Sequence, residues 1–238
     1  NSPADLIFTV DIARLTNAKD KGVTQPLVDE ELNAALPAEY RDPEGHWFGV
    51  TKRARVLYAS KERVGDEPIT YADLADPKWK GKICMRSGQH DYNLALFSAA
   101  IAHWGAEKTE EWMKGLKANL AKKPDGGDRP QAGAILAGEC DIALGNTYYI
   151  GVMLNGKDEK EKGWAEGVKV VFPTFENGGT HVNVSGAALV KNAPNRDNGV
   201  ALIKFLASHE AQQIQAEQSY EYPVEPGLEP SATVKSFG

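Results

Sequence analysis

The sequence predicts an α/β protein of two domains. Three observations carry this: strand-type apolar runs alternate with segments of helical period, 238 residues suffice for two cores, and the chain's middle half and its ends differ in self-sufficiency. Residues 5–10 form a short apolar strand run, followed by a helical segment from Ile12 to about Asn17 and a second over 25–36 that ends before Pro37. Residues 47–50 and 54–58 read as strands, with Thr51, Lys52 and Arg53 either a connector or part of one longer strand. A helical turn at 71–74 and a strand at 82–85 come next. Helices follow at 93–104, with Leu94, Leu96, Phe97 and Ile101 in period, and at 108–120, with Trp112, Met113 and Leu116 on one face. The Pro-Asp-Gly-Gly-Asp run at 124–128 is loop, 131–136 a helix, 140–144 a strand, and a helix runs from Tyr148 to about Leu154. Residues 155–167 are polar and turn-rich. Strands at 168–172 and 181–189, helices at 198–208 and 211–218, and a proline-broken irregular tail complete the order.

The block from about Tyr58 to Phe172 holds enough alternating strands and helices for a sheet covered by helices. Residues 1–52 and 182–238 are each too short for a core, so together they make a discontinuous first lobe, with 53–181 as the second. The chain then crosses twice, near 50–55 and 180–186, and ligands of such folds lie in the crevice beyond the strands' C-terminal ends.

A formal net charge of −6 and a pI near 5.5 leave no basic footprint for nucleic acid. No apolar run reaches the roughly 18 residues of a membrane span, and residues 1–5 show no signal-peptide pattern. Two cysteines, Cys84 and Cys140, fit one disulfide of an oxidising compartment or two separate buried thiols. The five histidines contain no i, i+4 pair, and no nucleophile elbow, phosphate loop or dinucleotide fingerprint occurs. Asp11, closing the first strand run, is a further candidate for a crevice position.

The informative string is Gly145-Asn146-Thr147-Tyr148-Tyr149, directly after a strand. Inside a strand the two tyrosines would face opposite sides. At a helix start they lie about 100° apart and converge. Phenolate oxygen is a hard anionic donor suited to a hard trivalent cation, whose field strips a proton from a group of ordinary pKa near 10. Ring packing is the alternative reading. The run 86–93 has the same strand-to-helix character. Ser87 and Gly88 suit an anion at a helix N-terminus or a plain capping turn, and Tyr92 falls in the first turn.

The runs 2–6 and 51–56, Arg86-Ser87-Gly88 with Tyr92-Asn93, Asn146-Thr147-Tyr148-Tyr149, and 178–186 occur together and in order. Together they resemble the periplasmic ferric-iron-binding proteins of bacterial ABC transporters, in the branch with a three-tyrosine clamp. The resemblance spans essentially all 238 residues. It implies a type II two-domain periplasmic-binding-protein fold with the ligand cleft between domains and two crossover strands. It implies Fe³⁺ held by Tyr92, Tyr148 and Tyr149, with Arg53, Arg55, Ser87, Gly88 and Asn146 around it or around a synergistic anion such as carbonate. It implies a monomeric, non-enzymatic, exported protein that docks on an ABC permease, made as a precursor with a signal peptide. A histidine or tyrosine ligand from an earlier loop and the family's closing helices have no counterpart in the sequence. Another solute, an organic anion, a sugar or a polyamine, is the rival cargo on this fold.

Overall fold

The computed structural model describes residues 2–238; Asn1, counted above with the first lobe, lies outside the described residues. In chain order the elements are β1 (Leu6–Val10), α1 (Ile12–Asp20), α2 (Glu30–Ala35), β2 (Phe48–Ser60), β3 (Ile83–Cys84), α3 (Asp91–Trp104), α4 (Ala106–Ala118), α5 (Asp128–Leu136) and β4 (Ile142–Asn146). Then come α6 (Thr147–Asn155), α7 (Glu159–Glu166), β5 (Val168–Val171), β6 (Val182–Leu189), α8 (Arg196–Ala207), α9 (His209–Ser219), β7 (Tyr222–Pro223) and α10 (Ala232–Lys235). No described helix is long and apolar enough to cross a membrane. The chain divides into two compact units, Asn1–Arg53 with Asn183–Ala232, and Ala54–Val182 with Thr233–Gly238.

Within the first unit β1 lies antiparallel to β6, Leu6 opposite Leu189 and Val10 opposite Ser185. β7 pairs with the start of β2, Thr51 opposite Pro223. Leu32, Leu36, Phe48, Leu189 and Ile203 form one core patch, and Leu15, Trp47, Val184 and Ala188 a second. Asp11 turns the chain from β1 into α1 at φ +82°, a conformation uncommon for a side-chain-bearing residue. β6 holds it there: the Asp11 amide donates to the Val184 carbonyl (2.8 Å), and the Asn183 side chain accepts from Ile12 N–H (2.9 Å). The Asp11 carboxylate is buried 3.8 Å from the equally buried Arg53 guanidinium, which also donates to Ser185 Oγ (3.3 Å).

In the second unit the sheet order is β3-β4-β2-β5. β4 and β5 run antiparallel to β2, and β3 runs parallel to β4. Side-chain alternation sorts the sheet cleanly. Leu57, Ala59, Ile83, Ile142 and Leu144 enter a core with Leu96, Trp112 and Leu116 of α3 and α4. Val56, Tyr58, Cys84 and Ala143 enter another with Ile135, Ile150 and Ala165 of α5, α6 and α7. Helices therefore cover both faces, the layering expected of an α/β unit.

Several elements differ from expectation for identifiable reasons. The helix expected over 25–36 shortens to α2, because the Gln25 amide bonds to the Leu189 carbonyl, Pro26 lacks an N–H, and Asp29 caps the helix through Leu32 N–H. Residues 47–50 and 54–58 merge into the single strand β2. The polar stretch 155–167 contains α7, started by Asp158, whose side chain accepts from the amides of Lys160 and Glu161. In α3 and α4, Leu94, Ile101 and Met113 are exposed, while Leu96, Phe97, Ala100, Trp112 and Leu116 are buried. The tail holds β7 and α10. Its last six residues group with the second unit, where Thr233 Oγ1 meets Asn155 Nδ2 (3.2 Å) and Phe237 packs on the α6 core patch. Arg53, placed in the second lobe by the sequence, groups with the first, beside Asp11 and Ser185.

Cys84 and Cys140 form a disulfide across 56 positions. Closing a loop of that length restricts the unfolded chain, worth about 4 kcal/mol. Replacing both cysteines by serine is expected to lower unfolding stability by roughly that amount, read as the urea-midpoint difference between variant and parent, and adding reductant to the parent should give the same shift. At Gly145, in β4, an added Cβ would overlap the ring of Tyr58, whose hydroxyl donates to the Asn146 carbonyl (2.6 Å). Gly145→Ala is expected to cost about 1–3 kcal/mol through overpacking; an unchanged urea midpoint would show that the ring moves aside freely.

Candidate functional site

Two strand-to-helix turns of the second unit carry the tyrosines. β3 leads through Arg86–His90 into α3, with Tyr92 as its second residue; β4 leads into α6, with Tyr148 and Tyr149 as its second and third. β3 and β4 are parallel neighbours, so both helices start from the same edge of the sheet. Their N-termini present partial positive charge to whatever lies there.

The side chains converge. The Tyr92 and Tyr148 hydroxyls are 3.2 Å apart, and the Tyr148 and Tyr149 rings lie 4.2 Å apart at 41°. All three are half-buried rather than sunk in the core. Burial first, then the hydrogen bond and charge of Tyr149 and the contact with Tyr92, push the Tyr148 phenol well above its usual pKa, so it is protonated at neutral pH. Beneath them Tyr58 is fully buried, and burial, then the Asp128 charge, raises its pKa strongly. It acts as a neutral donor to the Asn146 carbonyl.

Buried charges brace the turns. Asp128, at the start of α5, is 1% exposed. Its Oδ2 accepts from Arg55 Nη1 (2.5 Å) and from the Asn146 amide (3.0 Å), and its Oδ1 from Arg86 Nη1 (3.4 Å). Arg55 also donates to Asn146 Oδ1 (3.0 Å) and Asn93 Oδ1 (2.7 Å). With its Oδ1 engaged by Arg55, Asn146 makes no side-chain cap to α6. The guanidinium carbons of Arg55 and Arg86 lie 5.9 and 5.1 Å from the centre of the Tyr92 ring. His90 caps α3, its Nδ1 accepting from the Tyr92 amide (3.3 Å), and stands edge-on to the Tyr92 ring at 4.5 Å. Burial, then Arg86, lowers the His90 pKa, consistent with the neutral ring that this cap requires.

The structure thus brings Tyr92, Tyr148 and Tyr149 together, with Arg55 and Asn146 directly behind them. Ser87 is at the surface of the preceding turn, its hydroxyl accepting from the Gln89 amide (3.2 Å) and its carbonyl from Asn93 Nδ2 (3.0 Å). At Gly88 an added Cβ would meet only the Phe97 ring, at ordinary contact distance. Arg53 and Asp11 belong to the first unit. His181 gives its backbone to Tyr71 and Arg55, and His103 stacks on Phe175. Sequence reasoning missed Asp128, which it left in a loop. The available signal was an acid in a helix's first turn after Gly-Gly, a pattern that describes many exposed helix starts equally well. Among the described residues no cluster of three or more His, Cys, Asp or Glu side chains is arranged for a metal ion; the phenol cluster is a different kind of oxygen site.

Residues 1–236 match the family model for bacterial extracellular solute-binding protein. The iron uptake protein A1 of Synechocystis sp. is 47% identical over all of this chain, which spans 66% of that relative's length. A ferric iron-binding protein A of Mannheimia haemolytica, solved in an open conformation, superposes with a TM-score of 0.94 at 50% identity, over 100% of this chain and 75% of that one. A Trichodesmium protein solved with iron and citrate gives 0.94 at 43%, over 100% and 76%. The fold is the type II two-domain periplasmic-binding-protein architecture. The chain belongs to the bacterial extracellular solute-binding family, in its periplasmic ferric-ion-binding branch, a group of transport proteins and not of enzymes.

Proposed function

We propose that this chain binds a ferric ion through the phenolate oxygens of Tyr92, Tyr148 and Tyr149 and delivers it to an ABC permease at the membrane. The observation that carries the reading is the meeting of the Tyr92 and Tyr148 hydroxyls at 3.2 Å, with Tyr149 packed on Tyr148, at the start of two helices. Kinship supports it: the relatives above are named for iron uptake or ferric-ion binding.

The chemistry follows from the arrangement. The three phenols share a half-buried space, where burial and the neighbouring phenols raise the Tyr148 pKa and keep that group protonated. A trivalent ion reverses the balance, since its charge exceeds every other local charge. Three phenolates then equal the charge of Fe³⁺, so a synergistic anion such as carbonate is optional rather than required. Arg55 and Asn146 act from behind the ligands, being committed to Asp128 and to each other. One chain carries all three phenols, so a monomer suffices.

Adding ferric nitrilotriacetate to the protein is expected to produce a visible phenolate-to-iron charge-transfer band. Tyr148→Phe and Tyr149→Phe should each weaken affinity about 10-fold or more, as loss of an anionic ligand costs at least one hydrogen-bond-sized interaction, and the double variant should lose the band. A colourless wild-type protein would reject the reading.

Proton release gives a second test. Ligation requires the deprotonated phenols, and the raised pKa of Tyr148 keeps that group protonated across the working pH range. Binding therefore releases protons, and affinity falls as pH falls, by up to about tenfold per pH unit for each phenol deprotonated. Counting protons with an indicator dye, against a chelator-only blank, should give one fewer for Tyr148→Phe than for the wild type; equal counts would remove Tyr148 from the ligand set.

A further inference from the structure

We propose that Asp128 is the positioning residue of the tyrosine site, its single carboxylate fixing the Tyr92 turn and the Tyr148–Tyr149 turn relative to each other. The inference rests on the reading of these tyrosines as ligands.

Asp128 comes from neither turn but from α5, and it reaches both. The path to the second turn is direct: Oδ2 accepts the amide of Asn146, two residues before Tyr148, at 3.0 Å. The path to the first passes through Arg55. That guanidinium is oriented by the 2.5 Å bond to Oδ2 and donates its other Nη to Asn93 Oδ1 at 2.7 Å. Asn93 follows Tyr92 and turns its Nδ2 back onto the carbonyls of Arg86 (3.2 Å) and Ser87 (3.0 Å), closing the loop that opens α3. Arg86 Nη1 approaches Oδ1 from the same loop at 3.4 Å. Every donor and acceptor in this chain of contacts is a residue other than the three tyrosines.

That separation is what gives the network a role. In the free protein the Tyr92 and Tyr148 hydroxyls touch, so the cluster helps to hold itself. That contact joins only the two hydroxyl tips, whereas the two backbone turns that carry the rings are tied to each other through Asp128 and Arg55. A carboxylate suits this position because all of its neighbours are donors: two guanidiniums and an amide. An asparagine in its place would offer one acceptor and turn an N–H₂ toward a guanidinium or the amide, leaving buried donors unmatched. Arg55 in turn holds Asn93 and Asn146 with a planar fork that lysine lacks.

The test uses ferric titration, the wavelength and intensity of the charge-transfer band per bound ion, and circular dichroism on Asp128→Asn and Asn93→Ala. Asp128→Asn is expected to lower ferric affinity about 10- to 100-fold, the usual effect of removing a group that orients ligands, and to shift the band. Asn93→Ala leaves the buried carboxylate and Arg55 in place and frees only the Tyr92 turn. It should lower affinity about 10-fold and reproduce the band of Tyr92→Phe. A stability loss without any change in the band is the signature of a merely structural role and overturns the proposal, as does wild-type affinity in both variants. If Asp128→Asn does not fold, Asn93→Ala decides alone by the same criteria. A wild-type protein with no band removes the ligand reading itself, whereas a wild-type band retained unchanged in the variants removes only the positioning role.

Discussion

The second unit is organised around one buried ion pair, Arg55 with Asp128. Both side chains are almost fully withdrawn from water, and taking two such charges out of solvent is tolerable only with close pairing and further hydrogen bonds. The structure supplies them: the Asn146 amide and Arg86 on the acid, Asn93 and Asn146 Oδ1 on the base. Replacing such a pair by apolar residues of similar size is often neutral for stability, but it specifies less. Directed bonds from one acid to β2, to the β3–α3 turn and to the β4–α6 turn set the register of three segments at once. Apolar contacts on the two faces of the sheet hold those segments together without choosing their exact alignment.

The same strand serves the first unit in a parallel way. β2 passes from one unit to the other at Arg53 and Ala54, and each unit holds its part of the strand by a buried arginine near a buried acid. Arg53 lies beside Asp11, whose unusual backbone is imposed by β6 through Val184 and Asn183. Residues two apart share a side of an extended strand, which is why the sequence suggested a common role for Arg53 and Arg55. Their partners belong to different units.

What was legible in the sequence follows from the range of the forces involved. Alternation in β2 and β4 and the helical period of α3 are local, and they read correctly as elements. The convergence of Tyr148 with Tyr149 was also legible, because a strand-to-helix turn fixes the angle between adjacent side chains. Tyr92 needed the family resemblance, since its distance from Tyr148 depends on β3 and β4 being parallel neighbours, a pairing that neither segment encodes alone. Asp128 was illegible for a similar reason. An acid at a helix start is normally a solvated partner of the helix dipole, and only the three-dimensional arrival of Arg55, 73 positions earlier, makes it an interior anchor. The helix α7 escaped for the opposite reason. Its stability comes from the Asp158 cap and from Trp164 and Ala165 packing at one edge, so its polar surface looks like loop.

The arrangement resolves a conflict between stability and ligation. On the proposed ferric reading, phenols serve a trivalent ion together only if they are close, yet close phenols without the ion would repel each other as anions. Burial and the neighbouring phenols raise the Tyr148 pKa, so that group is protonated at neutral pH. Setting them at the N-termini of α3 and α6 provides fixed positive ends that do not move with the ligand. Two guanidiniums lie within about 6 Å of the Tyr92 ring, and both are tied to the Asp128 carboxylate. That tie leaves a net positive charge smaller than the two arginines alone would give. The carboxylate therefore does two things at once: it aligns the turns and it moderates the field, and neither would follow from an uncharged residue in the same place.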